Sequence, residues 1–370
     1  MTSPPAPQHR RAAGFGSITD VPGVLVGHHQ RRGRGWRTGT TAVIVLGGAA
    51  AGVAVRGGGP GTRETDALCP DNLVDRIHGI CLSGGSAYGL AAADGVMAWL
   101  ADRRLGFPVG DDPSWVVPVV PAAVIFDLGR GGTFGNRPDA AFGQRAAAAA
   151  RATRPATGAV GAGTGAVAGG LQGGVGTAST IVGDPASGLI VGALAVVNAA
   201  GRVIDPGTGL PWDAAAAGMR RPSAAERAAV LAATEPSAPP SAVPPLNTTI
   251  GVVATSAALT RAECTRLATV AHDGLARAVR PSHSLFDGDT IFAVATGDVE
   301  LPSTAPRFRD PASRPARVSA VLDAAASCFA LACLDAVVSA RSHGGGAPPA
   351  FRELCPSACC EPWRGRTAAR

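Results

Sequence analysis

Residues 236–245 read PSAPPSAVPP, half of them proline, and the chain that follows, LNTTIGVVAT, passes at once into an apolar run over 249–255. Proline has no amide donor and breaks helix and sheet alike, so 236–245 reads as a linker. The run behind it has the continuous apolar content of a strand covered on both faces. Thr favours strands and Asn favours turns, so Asn247-Thr248-Thr249 alone is compatible with an ordinary strand start. A linker opening straight into a core strand is also how a precursor looks before a cut makes that strand's first residue a new terminus.

The 370 residues suffice for one large domain or two ordinary ones. Only 4% are aromatic, so a core must be built from Val, Ile, Leu and Ala, and the 50 glycines imply many turns or close backbone contacts. Strands are expected at 41–48 and 51–55 (read as a hairpin), 76–83, 188–201, 249–255 and 290–296, with extended chain at 116–129. Helices are expected at 86–104, 139–152, 222–235, 259–279 and 316–340. They fall between sets of strands without strict alternation, which favours packed sheets with helices outside.

The net charge is +6 with no lysine, and the positive charge sits in the two ends. A basic balance confined to the ends argues against a folded nucleic-acid surface. Residues 1–14 are expected to be a disordered arm and 341–370 a disordered basic tail. No apolar secretory segment opens the chain, and no run of 18 apolar residues escapes interruption by Gly, Pro or charge, so a cytoplasmic protein without a membrane span is expected. Cys69, Cys81, Cys264, Cys328 and Cys333 read as small core residues, and Cys355, Cys359 and Cys360 as exposed thiols lacking the partners of a zinc site.

Several candidate chemistries fall away. Gly161, Gly163 and Ala166 with Asp184 fit a loose dinucleotide pattern, but no strand precedes them and further glycines would break the helix that should follow. SGGSAYG (83–89) leads from strand to helix like a nucleophile elbow, yet Tyr88 stands where glycine is required. The amides of Gly84, Gly85 and Ser86 are left as candidates to receive an oxyanion or carboxylate. No histidines have metal spacing. Asp287 and Asp289 in DGDT point to one side of an extended segment and either form a polar turn or orient a cationic group. A threonine hydroxyl needs a base beside it, and an N-terminal threonine carries one in its own α-amine.

Taken together, RGGGPGTRETD (56–66), ICLSGGSAYGLAAADGV (80–96), VPAAVIFDLG (120–129), the glycine segment 161–179, NTTIGVVAT (247–255) and DGDT resemble the self-processing aminopeptidases: L-aminopeptidase/D-esterase, β-peptidyl aminopeptidases and the 6-aminohexanoate-oligomer (nylon) hydrolase. The resemblance covers about residues 17–340. It implies a mixed α/β, four-layer α-β-β-α sandwich, similar to the N-terminal-nucleophile hydrolases but differently connected. One catalytic domain, 15–340, would be cut between Asn247 and Thr248 into 15–247 and 248–340. Thr248 would be nucleophile, Asn198 an oxyanion donor, and Asp287 and Asp289 the pair that orients the amines, two Asp resembling the nylon-hydrolase branch. Substrates would be small peptides, β-peptides or amino-acid oligomers with a free amine, with no metal or organic cofactor and a homo-oligomer of the cut pair. The lysine associated with nylon hydrolase has no counterpart here. The alternatives are acyl transfer of the ornithine-acetyltransferase kind on the same fold, and an uncut, non-catalytic binding protein.

Overall fold

The computed structural model describes residues 16–215, 217–235, 246–302, 310, 313–343 and 346–359. The expected arm 1–14 and the proline linker 236–245 lie outside them. Eight main strands are β1 (Val24–Gly33), β2 (Trp36–Val55), β3 (Ile77–Ser83), β4 (Ala122–Val124), β5 (Gly174–Ile181), β6 (Ile190–Asn198), β7 (Thr248–Ala257) and β8 (Thr290–Val299). The helices are α1 (Ala92–Ala101), α2 (Ala140–Ala148), α3 (Ala224–Thr234), α4 (Arg261–Ala278), α5 (Arg314–Ser339) and the short α6 (Phe351–Leu354).

The expected hairpin at 41–55 is instead one strand of 20 residues, and the difference organises the fold. The first half of β2 pairs with β1 and β3, and its second half pairs with β8. The register shifts between Ile44 and Ala49, where the strand leaves one sheet for the other. Small residues at 47–52 (GGAAAG) let it bend there rather than turn back. One sheet therefore runs β1-β2-β3-β4, and the other β5-β6-β7-β8-β2. The β7–β8 and β3–β4 pairs are parallel, and the other pairs along these paths are antiparallel.

Three separate cores show four layers. Val43, Ile80 and Leu82 of one sheet meet Leu194, Ile250, Val252 and Phe292 of the other. The opposite faces carry Ala42, Ile44 and Cys81 against α1 and α2, and Ala193, Val253, Ile291 and Ala293 against α4 and α5. Successive residues of β7 alternate between the inner core and the helices, which is why the strand is apolar throughout. Helix α4 starts with a capping box, Thr260 and Glu263, and Glu263 also pairs with Arg314 at 2.7 Å, joining the starts of α4 and α5. Gly176 of β5 lies so close to α5 that a Cβ there would stand 2.1 Å from the Ala332 carbonyl oxygen. Part of the glycine density in 158–179 thus lets a sheet and a helix touch. Helix α5 has the length and composition to cross a bilayer, but 72% of its most apolar stretch is buried in the fold.

Two expectations change. The segment after residue 340 is not wholly a loose tail: Phe351, Cys355 and Ala358 are buried, and they share a core with Val230 of α3 and Val337 of α5. Cys355 and Cys359 are accordingly buried rather than exposed, and Cys69 is exposed rather than core. Cys360 lies outside the described residues. Composition misled here because Pro, Gly and Arg surround a few apolar anchors spaced closely enough to dock.

Candidate active site

Strand register gathers the site. Thr248, first residue of β7, pairs with Asn198, last residue of β6, and on the other side Asn247 bridges to Asp287. Ile250 then pairs with Thr290 of β8, so the DGDT turn sits beside the head of β7. Thr248, Asn247, Asn198, Asp287 and Asp289 are all buried. A cleft of about 130 Å³ opens here between the sheet ends, lined by Thr248, Asn247, Ser86, Phe126 and Phe286 among others.

The Thr248 hydroxyl donates to the carbonyl oxygen of Asn247, the peptide group directly before it. The Gly288 amide lies 3.2 Å from that oxygen and 3.2 Å from Thr248 Oγ1. A Cβ at Gly288 would stand 2.9 Å from Oγ1 and 2.8 Å from the Gly59 carbonyl oxygen, so only glycine fits without displacement. The turn is braced by the RGGG segment: the amides of Arg56 and Gly59 donate to the carbonyls of Asp289 (2.9 Å) and Asp287 (2.8 Å).

The two aspartates are committed to different partners. Asp289 accepts from the Thr249 amide at 2.7 Å with one oxygen, and from His283 N and Nδ1 at 3.0 and 2.8 Å with the other. Asp287 accepts from the Ser284 hydroxyl at 2.6 Å. His272 stacks edge-on against His283, and burial lowers its pKa to about 4, so it is neutral at pH 7.

Arg130 stands where Asn198 and Asn247 converge. Its guanidinium donates to Asn198 Oδ1 at 2.8 Å, to Asn247 Oδ1 at 3.0 Å and to the Leu246 carbonyl at 2.5 Å. Asn198 Oδ1 also accepts from the Val167 amide, and its Nδ2 donates to the Phe126 carbonyl at 3.3 Å. The second Nδ2 hydrogen has no partner among the described residues. Behind Arg130, Arg37 donates to the Arg130 carbonyl at 2.9 Å and to Gln172 Oε1.

The expectation for Gly84, Gly85 and Ser86 needs correction. Their amides are spent on the Gly39 carbonyl (2.9 Å), Asp127 Oδ1 (2.7 Å) and the Ile125 carbonyl (2.9 Å). Ser86 lines the cleft, while Gly84 and Gly85 pack against Asp127, which is not among the lining residues. The strand-to-helix turn is used to hold a buried carboxylate, not to receive an anion.

Burial pushes the Asp127 pKa up from 3.8 to about 6, opposed by Thr38, the Gly85 amide and Arg130. The folded protein thus holds this proton more tightly than the unfolded chain does. The resulting stabilisation is full below about pH 4 and is lost as pH rises through about 6. Asp127→Asn should flatten that part of the profile, a difference of about 2–3 kcal/mol between pH 4 and pH 7. Paired thermal melts of the two proteins check it, and identical slopes would refute it.

Burial also pushes the thiols of Cys81, Cys264 and Cys328 up to about 12, so none is a thiolate at neutral pH. Among the described residues no cluster of three or more His, Cys, Asp or Glu could hold a metal ion.

Known proteins resemble this chain in sequence and in fold. The profile of Peptidase family S58 matches residues 16–348. The chain is 50% identical over 353 residues to an uncharacterized aminopeptidase of Mycobacterium tuberculosis, covering 92% of this chain and 98% of that one. It is 32% identical over 298 residues to the 6-aminohexanoate-oligomer endohydrolase of a Kocuria species, covering 77% and 76%. A Burkholderia β-aminopeptidase superposes with TM-score 0.66 at 27% identity, over 93% of this chain and 92% of that one. The L-aminopeptidase D-Ala-esterase/amidase of Ochrobactrum anthropi, described as a variant of the Ntn hydrolase fold, superposes with TM-score 0.66 at 22% identity over 97% and 95%, a likeness of fold.

Proposed function

The chain belongs to peptidase family S58 and is an aminopeptidase-type amide hydrolase, and we propose that it cuts itself before Thr248 and then works through that threonine. The observation that carries the reading is the Thr248 hydroxyl resting on the Asn247 carbonyl with the Gly288 amide beside both.

In self-processing, Oγ1 adds to the Asn247 carbonyl carbon, and the Gly288 amide meets the oxygen that gains charge. The C–N bond to Thr248 breaks, its nitrogen takes the hydroxyl proton, and an ester remains on Oγ1. Water hydrolyses the ester, giving an Asn247 carboxylate and a Thr248 with free hydroxyl and amine. That amine has a pKa near 8, against about 10.4 for lysine, and so serves as base at neutral pH. In turnover it takes the hydroxyl proton while Oγ1 attacks the substrate carbonyl. The departing amine carries the proton away, and water hydrolyses the second ester. Substrates are small peptides, β-peptides or amino-acid oligomers with a free amine, and the working unit is a homo-oligomer of the cut pair.

Asn198 stands across the ladder from Thr248 with one amide hydrogen uncommitted among the described residues, which supports it as a donor to the developing oxyanion. Asn198→Ala should lower turnover about a hundredfold or more with folding retained, since one such donor supplies about 3–4 kcal/mol. Near-normal turnover would remove Asn198 from the mechanism. The nucleophile itself is tested by quenching the protein during turnover of an amino-acid ester. The fragment that begins at Thr248 should gain the acyl mass; label on any other residue would contradict the assignment.

A further inference from the structure

A chain that cuts itself is its own first substrate, and the residue donating the acyl group is Asn247. Its side chain does not project into solvent. Oδ1 accepts from Arg130 Nη2 at 3.0 Å, and Nδ2 faces the Val167 carbonyl oxygen at 3.4 Å. Arg130 has only donors and a carbonyl only accepts, so chemistry fixes which way the carboxamide points. The backbone amide of Asn247 donates to the Phe286 carbonyl at 3.2 Å. Asn247 as a whole is 4% exposed.

We propose that, once the cut has made Asn247 a chain end and that end has withdrawn from the cleft, the same contacts select the substrate: the enzyme prefers an amino-terminal asparaginyl residue, with Arg130 as the specificity-determining group. The inference rests on the self-processing reading and adds to it the identity of the acyl residue. The substrate's carbonyl occupies the place of the Asn247 carbonyl beside Oγ1 and Gly288. Its free amine lies where the Asn247 amide lay, facing the Phe286 carbonyl, which suits a protonated donor. Its carboxamide oxygen lies on Arg130 and its carboxamide nitrogen on the Val167 carbonyl. Departure of Leu246 also releases the Nη2 hydrogen now held by its carbonyl at 2.5 Å. The guanidinium stays anchored through Nη1 to Asn198 Oδ1, so it is positioned before substrate arrives. An aspartyl residue keeps the oxygen on Arg130 but turns a second oxygen toward the Val167 carbonyl, and ranks below asparaginyl. A leucyl residue has the same branched shape and leaves both protein groups unpaired. Sites that hydrogen-bond a substrate's polar group reject the analogue lacking it strongly.

The test uses the purified, processed enzyme and the p-nitroanilides of asparagine, aspartate, leucine and alanine. Asparagine anilide should exceed leucine anilide in kcat/KM by about tenfold or more, with aspartate between. In Arg130→Met and Arg130→Lys the asparagine-to-leucine ratio should fall toward unity, whatever each variant does to absolute rates. The readout is this ratio within one protein, so a general loss through Asn198 does not imitate it. Independently, Asn247→Leu should slow self-cleavage of the precursor about tenfold against wild type in a timed gel. A processed, active wild type with a flat profile overturns the inference and leaves the proposed function standing, as does a preference that Arg130→Met does not change. An uncut wild-type chain without turnover overturns both. The wild-type profile decides the point even where a variant fails to fold.

Discussion

Thr248→Ala is expected to give a folded, full-length chain with no detectable amide hydrolysis. The substitution removes the group that attacks twice, first the chain and then the substrate. Removing a catalytic nucleophile costs on the order of 10⁴–10⁶-fold in turnover, and here the free amine also never forms. The fold should tolerate the change. Alanine keeps the Cβ at the head of β7, and the lost hydroxyl bond and methyl group are worth about 1–2 kcal/mol. A melt within a few degrees of wild type, beside a single uncut band and no activity, is the predicted combination. Thr248→Ser keeps the hydroxyl and should still be cut. Residual hydrolysis by a well-folded Thr248→Ala would move the nucleophile elsewhere.

Gly288→Ala should have the second largest effect. The new methyl would have to fit within 2.9 Å of Thr248 Oγ1 and 2.8 Å of the Gly59 carbonyl, and something must shift. The turn is held to the 56–59 backbone by three amide–carbonyl bonds, from Arg56 and Gly57 to the Asp289 carbonyl and from Gly59 to the Asp287 carbonyl, so displacement of the Gly288 amide and the Thr248 side chain is the available response. Misplacing one oxyanion donor typically costs 10²–10³-fold, about 3–4 kcal/mol. Self-cleavage, followed over time on a gel after rapid purification, should slow by about a hundredfold or more, while circular dichroism stays native. Wild-type cleavage in a folded Gly288→Ala would show that the amide's place beside Oγ1 is incidental.

NTT behind a proline linker, Asn198 at a strand end and the aspartates of DGDT are side-chain signals within short segments, and β6–β7–β8 register brings all of them to one place. The layers were legible too, because strands covered on both faces read as unbroken apolar runs. Arg130 was not legible. It lies in LGRGG, where nothing local separates it from a surface arginine, and its partners at 198 and 246–247 are reached only through the fold. The Gly288 donor is a backbone amide: the glycine in DGDT marks a tight turn, but not what its N–H faces. Gly84, Gly85 and Ser86 misled for the same reason, since a sequence does not say which carbonyl or carboxylate an amide has already met. The unbroken β2 was missed because GG at 47–48 reads as a turn until the second sheet supplies β8 as its partner.

If the chain itself parts Asn247 from Thr248, an intact-mass spectrum of freshly purified wild type gives two masses that sum to the full chain plus one water. The smaller fragment begins at Thr248, and Thr248→Ala gives one full-length mass. A single full-length mass from folded wild type would contradict self-cleavage, and a fragment beginning at Thr249 would assign the chemistry to the neighbouring residue.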